Sequence, residues 1–161
     1  MANTIIGIAD MALAKSPDTL TTLGLGSCVG IVLYDRARKI GGLSHILLPK
    51  APAAEPQIQR AKYADTAIDE LIDRMVKSGA LAHTLTAKLA GGASMFFANN
   101  GSDIMQVGKR NVDMCREILR RHSIAILAED TGGNIGRTIV FDCDTGALMI
   151  RTAWPKTEKI L

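Results

Sequence analysis

The apolar positions of this chain change period along its length. Residues 5–14, 19–23, 29–34 and 39–48 read as strands, and the first two flank a turn at Ser16-Pro17-Asp18. Residues 62–78 switch to helical spacing. Ala64, Ile68, Leu71, Ile72, Met75 and Val76 recur every three or four positions, and Gly79 stops the run. Residues 85–89 return to a strand that leads into Gly91-Gly92. Residues 104–121 form a second helix, with Ile104, Val107, Val112, Cys115, Ile118 and Leu119 facing inward. Strands follow at 124–127, 135–142 and 147–152, the last two joined by a hairpin turn at Asp144-Thr145-Gly146. Pro52 and Pro56 mark 50–57 as a surface loop. Early strands, few helices and hairpin turns predict an α+β fold, with mostly antiparallel sheet(s) packed with two main helices.

Composition narrows the reading. The chain has 161 residues, 47% of them hydrophobic and 22% charged, which predicts a single domain over residues 1–161 with one core. The net charge of +3 is scattered, with short clusters at Arg36-Ala37-Arg38-Lys39 and Arg120-Arg121-His122, and aromatics make up only 4%. A nucleic-acid surface needs a basic stripe and stacking rings, so that class is disfavoured. No run of about 18 apolar residues predicts a membrane span. The N-terminus lacks the basic and apolar regions of a signal peptide. Three cysteines without a framework pattern then read as reduced thiols of a cytoplasmic protein. There is no C-x-x-C or H-x-x-x-H, and neither a metal nor a cofactor is expected.

The candidate chemistry lies in Leu23-Gly24-Leu25-Gly26-Ser27-Cys28-Val29-Gly30. A two-residue turn centred between Arg36 and Ala37 would set Leu33 opposite Ile40, Tyr34 opposite Lys39 and Asp35 opposite Arg38. The same register sets Cys28 opposite His45, where directly opposed Cβ atoms lie about 4.5–5.5 Å apart. A thiol beside an imidazole has a chemical use. The imidazolium lowers the thiol pKa, the thiolate attacks a carbonyl, and the histidine protonates the leaving group. Glycines at 24, 26 and 30 leave the main chain open to an oxyanion. The competing reading makes Cys28 a small core residue, since free cysteine is among the most buried residue types. Cys115 and Cys143 read as structural, and His83 and His122 as surface residues. Gly26-Ser27-Cys28-Val29-Gly30 fits G-x-C-x-G, but a strand rather than a helix follows, against a nucleophile elbow. The glycines also fail the phosphate-loop patterns. Gly132-Gly133-Asn134-Ile135-Gly136-Arg137 reads as a tight loop between strands in preference to a substrate contact.

Several blocks in order carry a resemblance over residues 8–150. They are Thr22-Leu23-Gly24-Leu25-Gly26-Ser27-Cys28, Gly41-Gly42-Leu43-Ser44-His45-Ile46-Leu47-Leu48-Pro49, Lys62-Tyr63-Ala64-Asp65, Gly91-Gly92-Ala93-Ser94-Met95-Phe96, Val107-Gly108-Lys109-Arg110-Asn111 and Gly132-Gly133-Asn134-Ile135-Gly136-Arg137. The chain resembles the CheD family of chemoreceptor glutamine deamidases. The resemblance implies hydrolysis of glutamine side-chain amides on methyl-accepting chemotaxis receptors, and because a methyl ester is an easier acyl group for the same chemistry, glutamate methyl ester hydrolysis is expected as a second activity. It implies a catalytic set of Cys28, His45 and Thr22, beside which the bare backbone of the glycine-rich segment puts Gly26, Ser27 and Gly24 forward for the substrate oxyanion. It also implies binding of a CheC-type response-regulator phosphatase, and an α/β sandwich similar to deamidating-toxin catalytic domains. Two rival readings are a non-catalytic regulator that binds that phosphatase or the receptor, and transfer of the thioester to an amine.

Overall fold

A computed structural model describes residues 1–53, 59–95 and 106–161. Ten strands and two α-helices are found among them. The strands are β1 (Asn3–Ile6), β2 (Met11–Lys15), β3 (Thr19–Leu25), β4 (Val29–Asp35), β5 (Ile40–Ile46), β6 (Leu85–Gly91), β7 (Ala125–Thr131), β8 (Arg137–Asp142), β9 (Leu148–Ala153) and β10 (Lys156–Ile160). The helices are α1 (Ala64–Lys77), after β5, and α2 (Val107–Arg121), after β6. They form an α+β fold of two five-stranded sheets, ordered β2-β5-β4-β6-β7 and β1-β3-β8-β9-β10. Neighbouring strands are antiparallel except β1 with β3 and β6 with β7. Among the described residues no helix is long and apolar enough to cross a membrane.

The first sheet is the middle layer. Val29, Ile31, Leu33 and Ile46 point to one side, where Ile68, Leu71 and Met75 of α1 and Val112, Cys115 and Leu119 of α2 cover them. Val32, Tyr34 and Leu43 point to the other side, against Leu20, Ile139, Phe141 and Ile150 of the second sheet. Every residue of β4 and β5 is buried. That is why β4 reads as a nearly continuous apolar run rather than an alternating one, whereas β5 buries Ser44 and His45 among its apolar residues. Each fully buried aliphatic side chain contributes about 1.5–3 kcal/mol relative to exposure. Helix α1 buries one stripe, carries Asp65 in its first turn and Arg74 and Lys77 in its last, and so suits its own dipole.

Three sequence expectations are corrected. The strand read over 5–14 is two strands in different sheets. The chain turns at residues 7–10, where Ala9 takes a φ of 61° and the Asp10 side chain accepts the Met11 N–H. The turn expected at Ser16–Asp18 is present and links the two sheets. The β4–β5 register is displaced by two residues: Asp35 faces Ile40, Leu33 faces Gly42 and Gly30, not Cys28, faces His45. The cause is the connection. Asp35 Oδ1 accepts the Arg38 N–H at 3.1 Å and Lys39 takes a φ of 53°, making residues 36–39 the loop. Strand β10, absent from the sequence reading, forms the exposed edge of the second sheet. The predicted helix over 104–121 is observed from Val107, with 104–105 outside the described residues, and 54–57 of the predicted loop also lie outside them.

Candidate active site

The site lies between the two sheets, at the end of the β4–β5 ribbon away from its turn. His45, on β5, and Thr22, on β3 of the opposite sheet, are both fully buried. Thr22 Oγ1 lies 2.7 Å from His45 Nδ1 and 2.7 Å from the Ile6 carbonyl oxygen. A hydroxyl has one proton, and a carbonyl can only accept. Thr22 therefore donates to Ile6 and accepts from Nδ1–H, which fixes the tautomer and leaves the lone pair on Nε2. Nε2 has no hydrogen-bond partner among the described residues. The turn at 7–10 also grips the histidine backbone: Asp10 O accepts the His45 N–H at 3.0 Å, and the Ala9 N–H reaches His45 O at 2.9 Å.

Cys28 immediately precedes β4. The two-residue displacement of register leaves it on the same face of the sheet as His45, as a diagonal neighbour rather than an opposed one. Gly30 occupies the opposed position. A Cβ there would sit 2.6 Å from Ile139 Cδ1, so the second sheet closes tightly over the ribbon. Cys28 packs in the inter-sheet core with 7% exposure, yet it also lines a cleft of about 380 Å3. Gly26, Ser27, Leu47, Met95 and the first residues of α2, Val107 and Gly108, line the same cleft.

Burial pushes the Cys28 thiol up, with its backbone N–H acting in the opposite direction. Burial pushes the His45 imidazole down. The expectation that an imidazolium lowers the thiol is thus reversed: both groups favour their neutral forms. Cys115 and Cys143 are fully buried, with thiols pushed up by burial to about 12 and about 11. His83 and His122 are exposed, and His122 Nε2 pairs with Asp69 at 2.6 Å.

The cysteine loop is held through its carbonyls. Gly26 O accepts from Ala93 N–H and Cys28 O from Gly92 N–H, each at 2.8 Å. Ser27 O accepts from Asn111 Nδ2 at 2.9 Å. Among the described residues none accepts from the Ser27 or Cys28 N–H, save the Cys28 sulfur itself. Of the oxyanion candidates, Gly26 and Ser27 lie on the cleft. Gly24 does not join them. It sits at a register shift in the β3–β8 ladder with a φ of 66°, beside a separate groove lined by Gly136 and Trp154.

Three features frame this loop, and the sequence reading had not joined any of them to Cys28: Gly91-Gly92 stood only beside a strand, Arg137 only in the tight Gly132–Arg137 loop, and Asn111 only in a motif block. Gly91 and Gly92 press against it: a Cβ on Gly91 would be 2.3 Å from Cys28 O. Arg137, 9% exposed, donates to Asp130 Oδ2 at 3.2 Å, Gly91 O at 3.3 Å and Gly132 O at 3.0 Å, tying two glycine loops together. Asn111 is the third. All three lie inside the motif blocks, so position in a block was the signal they shared. Among the described residues no group of three or more His, Cys, Asp or Glu side chains is placed to hold a metal.

Fold and site together describe a two-sheet α+β domain with a cysteine and a tautomer-fixed histidine on one face of an inter-sheet seam. In fold, the chain is similar to the hypothetical protein YfiH of Bacillus licheniformis, with a TM-score of 0.50 and 12% identity over 76% of this chain and 50% of that one. It is also similar to Neisseria meningitidis protein NMB0706, with a TM-score of 0.50 and 8% identity over 84% of this chain and 65% of that one. Identities so low speak to fold alone.

Sequence relationship is closer. Residues 47–152 match the family described as CheD chemotactic sensory transduction. The Halalkalibacterium halodurans protein named chemoreceptor glutamine deamidase CheD is 49% identical over 156 residues, 96% of each chain. A Caldanaerobacter subterraneus protein named "Probable chemoreceptor glutamine deamidase CheD" is 51% identical over 147 residues, 91% of each chain. The chain belongs to the CheD family.

Proposed function

We propose that this protein is a chemoreceptor glutamine deamidase in which Cys28 is the nucleophile, His45 the general base and acid, and Thr22 the residue that orients His45. It acts in the cytoplasm on methyl-accepting receptors. Relatives about half identical over nearly the whole chain carry the deamidase name. The observation that supports the mechanism best is the Thr22–His45 hydrogen bond, which leaves Nε2 unprotonated and without a partner.

The pair rests as neutral thiol and neutral imidazole. As sulfur attacks the carboxamide carbon of a receptor glutamine, its proton passes to His45 Nε2. The Ser27 N–H, which no described residue accepts, and the Cys28 N–H, held only by its own sulfur, are the donors this reading assigns to the oxyanion. Nε2–H then protonates the departing amine, and ammonia leaves a thioester on Cys28. A water gives its proton to Nε2 and attacks the thioester carbon. Sulfur departs, recovers the proton from Nε2, and glutamate is released. A methyl ester offers a better leaving group to the same sulfur, so glutamate methyl ester hydrolysis is a second activity of this site. Binding of a CheC-type phosphatase is compatible with this chemistry and would tune it.

The test is incubation with a receptor cytoplasmic fragment, followed by peptide mass analysis. Wild type should add about 1 Da at particular glutamines, an amide replaced by an acid through the thioester. Cys28→Ala should add none. A Cys28→Ala protein that deamidates at the wild-type rate removes the nucleophile assignment. Wild type that binds a CheC-type phosphatase without altering receptor mass favours the purely regulatory reading. Adducts with an added primary amine would reveal transfer instead of hydrolysis.

A further inference from the structure

We infer that Asn111 is a positioning residue that sets the separation of Cys28 from His45; the inference rests on the deamidase reading above. The β4–β5 ladder ends at the pair Val29 and Ile46. Beyond it the strands part. The Leu47 N–H turns away to Lys62 O at 2.9 Å, and Cys28 O takes the Gly92 N–H. Asn111 occupies the gap. Its Nδ2 donates to Ser27 O at 2.9 Å and to Leu47 O at 3.1 Å. One carboxamide group thus replaces the missing rung of the ladder, spending one proton on each strand. Ser27 is the neighbour of Cys28, and Leu47 stands two residues beyond His45.

The orientation is unambiguous. Both partners are carbonyl oxygens, so the amino group must face them and Oδ1 must face away. Asn111 is fully buried, and its Oδ1 has no partner among the described residues. Its two donor bonds, one to each strand end, supply a fixed distance between two chain ends. Its own base is fixed as well. A Cβ on Gly108 would be 2.5 Å from Ala93 O, and one on Gly92 would be 2.3 Å from Val112 Cγ2, so the first turn of α2 packs backbone-close against the loop. Without the clamp the strand ends separate, the sulfur and Nε2 drift out of line, and water enters around the thiol.

The experiment compares Asn111→Ala and Asn111→Ser with Cys115→Ala in the full chain. Cys115 is buried one turn further along the same helix and reports the effect of loosening that helix alone. Deamidation of the receptor fragment should show kcat about 10²-fold lower in Asn111→Ala, as a displacement of about 1 Å would produce. KM should stay within about twofold, since substrate binding is not what is lost. Asn111→Ser, which returns one donor, should fall between Asn111→Ala and wild type. Cys115→Ala should keep kcat near wild type. Alkylation of Cys28 by iodoacetamide, read by mass against pH, is independent of the substrate. Its midpoint should move down towards that of an ordinary thiol in Asn111→Ala and stay fixed in Cys115→Ala. Where Asn111→Ala does not fold, Asn111→Ser carries both comparisons.

Equal kcat losses in Asn111→Ala and Cys115→Ala, or an unmoved alkylation midpoint, overturn the clamp. If wild type shows no deamidation while the midpoint moves only in the Asn111 variants, the clamp stands and the deamidase reading falls.

Discussion

The β4–β5 ribbon buries polar groups at both of its ends, and the two ends treat them differently. At the turn, the Asp35 carboxylate is completely enclosed. Its Oδ1 accepts the Arg38 N–H at 3.1 Å. Its Oδ2 accepts the Leu81 N–H at 3.0 Å, the Thr84 hydroxyl at 3.1 Å and Arg38 Nη1 at 3.3 Å. Burial acts to raise its pKa, but those bonds outweigh it and hold the carboxyl below the usual range. At the open end, burial is equally deep, yet His45 Nε2 and Asn111 Oδ1 are left without partners among the described residues. A satisfied network has nothing left to offer a substrate; an unsatisfied one retains its reactivity at a cost in stability. The same ribbon therefore carries a structural lock at one end and the proposed chemical site at the other.

The sharpest way to break this contrast is at Thr22. Thr22→Val removes the acceptor for Nδ1–H and orphans Ile6 O, freeing the ring to adopt the wrong tautomer. Deamidation kcat should drop about 10²-fold, the lower end of what a positioned base contributes, because a hydroxyl orients less strongly than a carboxylate. Thr22→Ser keeps the oxygen and should recover most of the rate. Equal rates in the two variants would show that the hydroxyl does not orient the ring.

At the turn the expected effect falls on stability. Asp35→Ala orphans the Leu81 and Arg38 N–H groups, while the Thr84 hydroxyl keeps the Leu81 carbonyl oxygen at 2.9 Å. Urea unfolding should show a loss of about 2–4 kcal/mol, as for a broken buried network. The rate per folded molecule should be unchanged. A kcat that falls with Asp35→Ala would mean that the two ends are coupled and the division is false.

The contrast also explains what the sequence allowed to be read. Both helices and the buried strands were legible, because packing on one or both faces imposes an apolar period. Strand β10 was not: every one of its residues is exposed, as befits a charged edge, so no hydrophobic pattern marks it. The break at 7–10 was hidden because it depends on Ala9 adopting a left-handed conformation, which its residue type does not announce. The register depended on a carboxylate folding back onto its own loop, and a two-residue error preserved the face while misplacing the pair. Cys28 and His45 were therefore assigned to one face for a reason that was half right. Thr22 entered through family resemblance alone, since its partner lies on another sheet. Asn111, between Arg110 and Val112 on a helix, reads as part of a solvated face until tertiary structure places two carbonyls before it.

The smallest expected effect separates the two ends by pH. His45 has its pKa pushed below the ordinary imidazole value of 6.5 by burial, so between those two values the unfolded chain binds more protons than the folded one. Stability from this group is complete above pH 6.5 and is lost as pH falls towards the lower folded value. Asp35, also lowered in the folded state, contributes stability that is complete above its ordinary value of 3.8 and is lost only below it. Unfolding free energy measured against pH should therefore decline in two steps. His45→Gln should remove the upper step and leave the lower, while Asp35→Ala should shrink the lower step, to which Asp144, also lowered by Lys39 and Ser16, contributes, and leave the upper. The basal loss in Asp35→Ala would appear at all pH values, so the shape of the curve, not its height, carries the comparison. A single step that vanishes in both variants would mean that the ribbon titrates as one unit, and the open end would then be no freer than the turn.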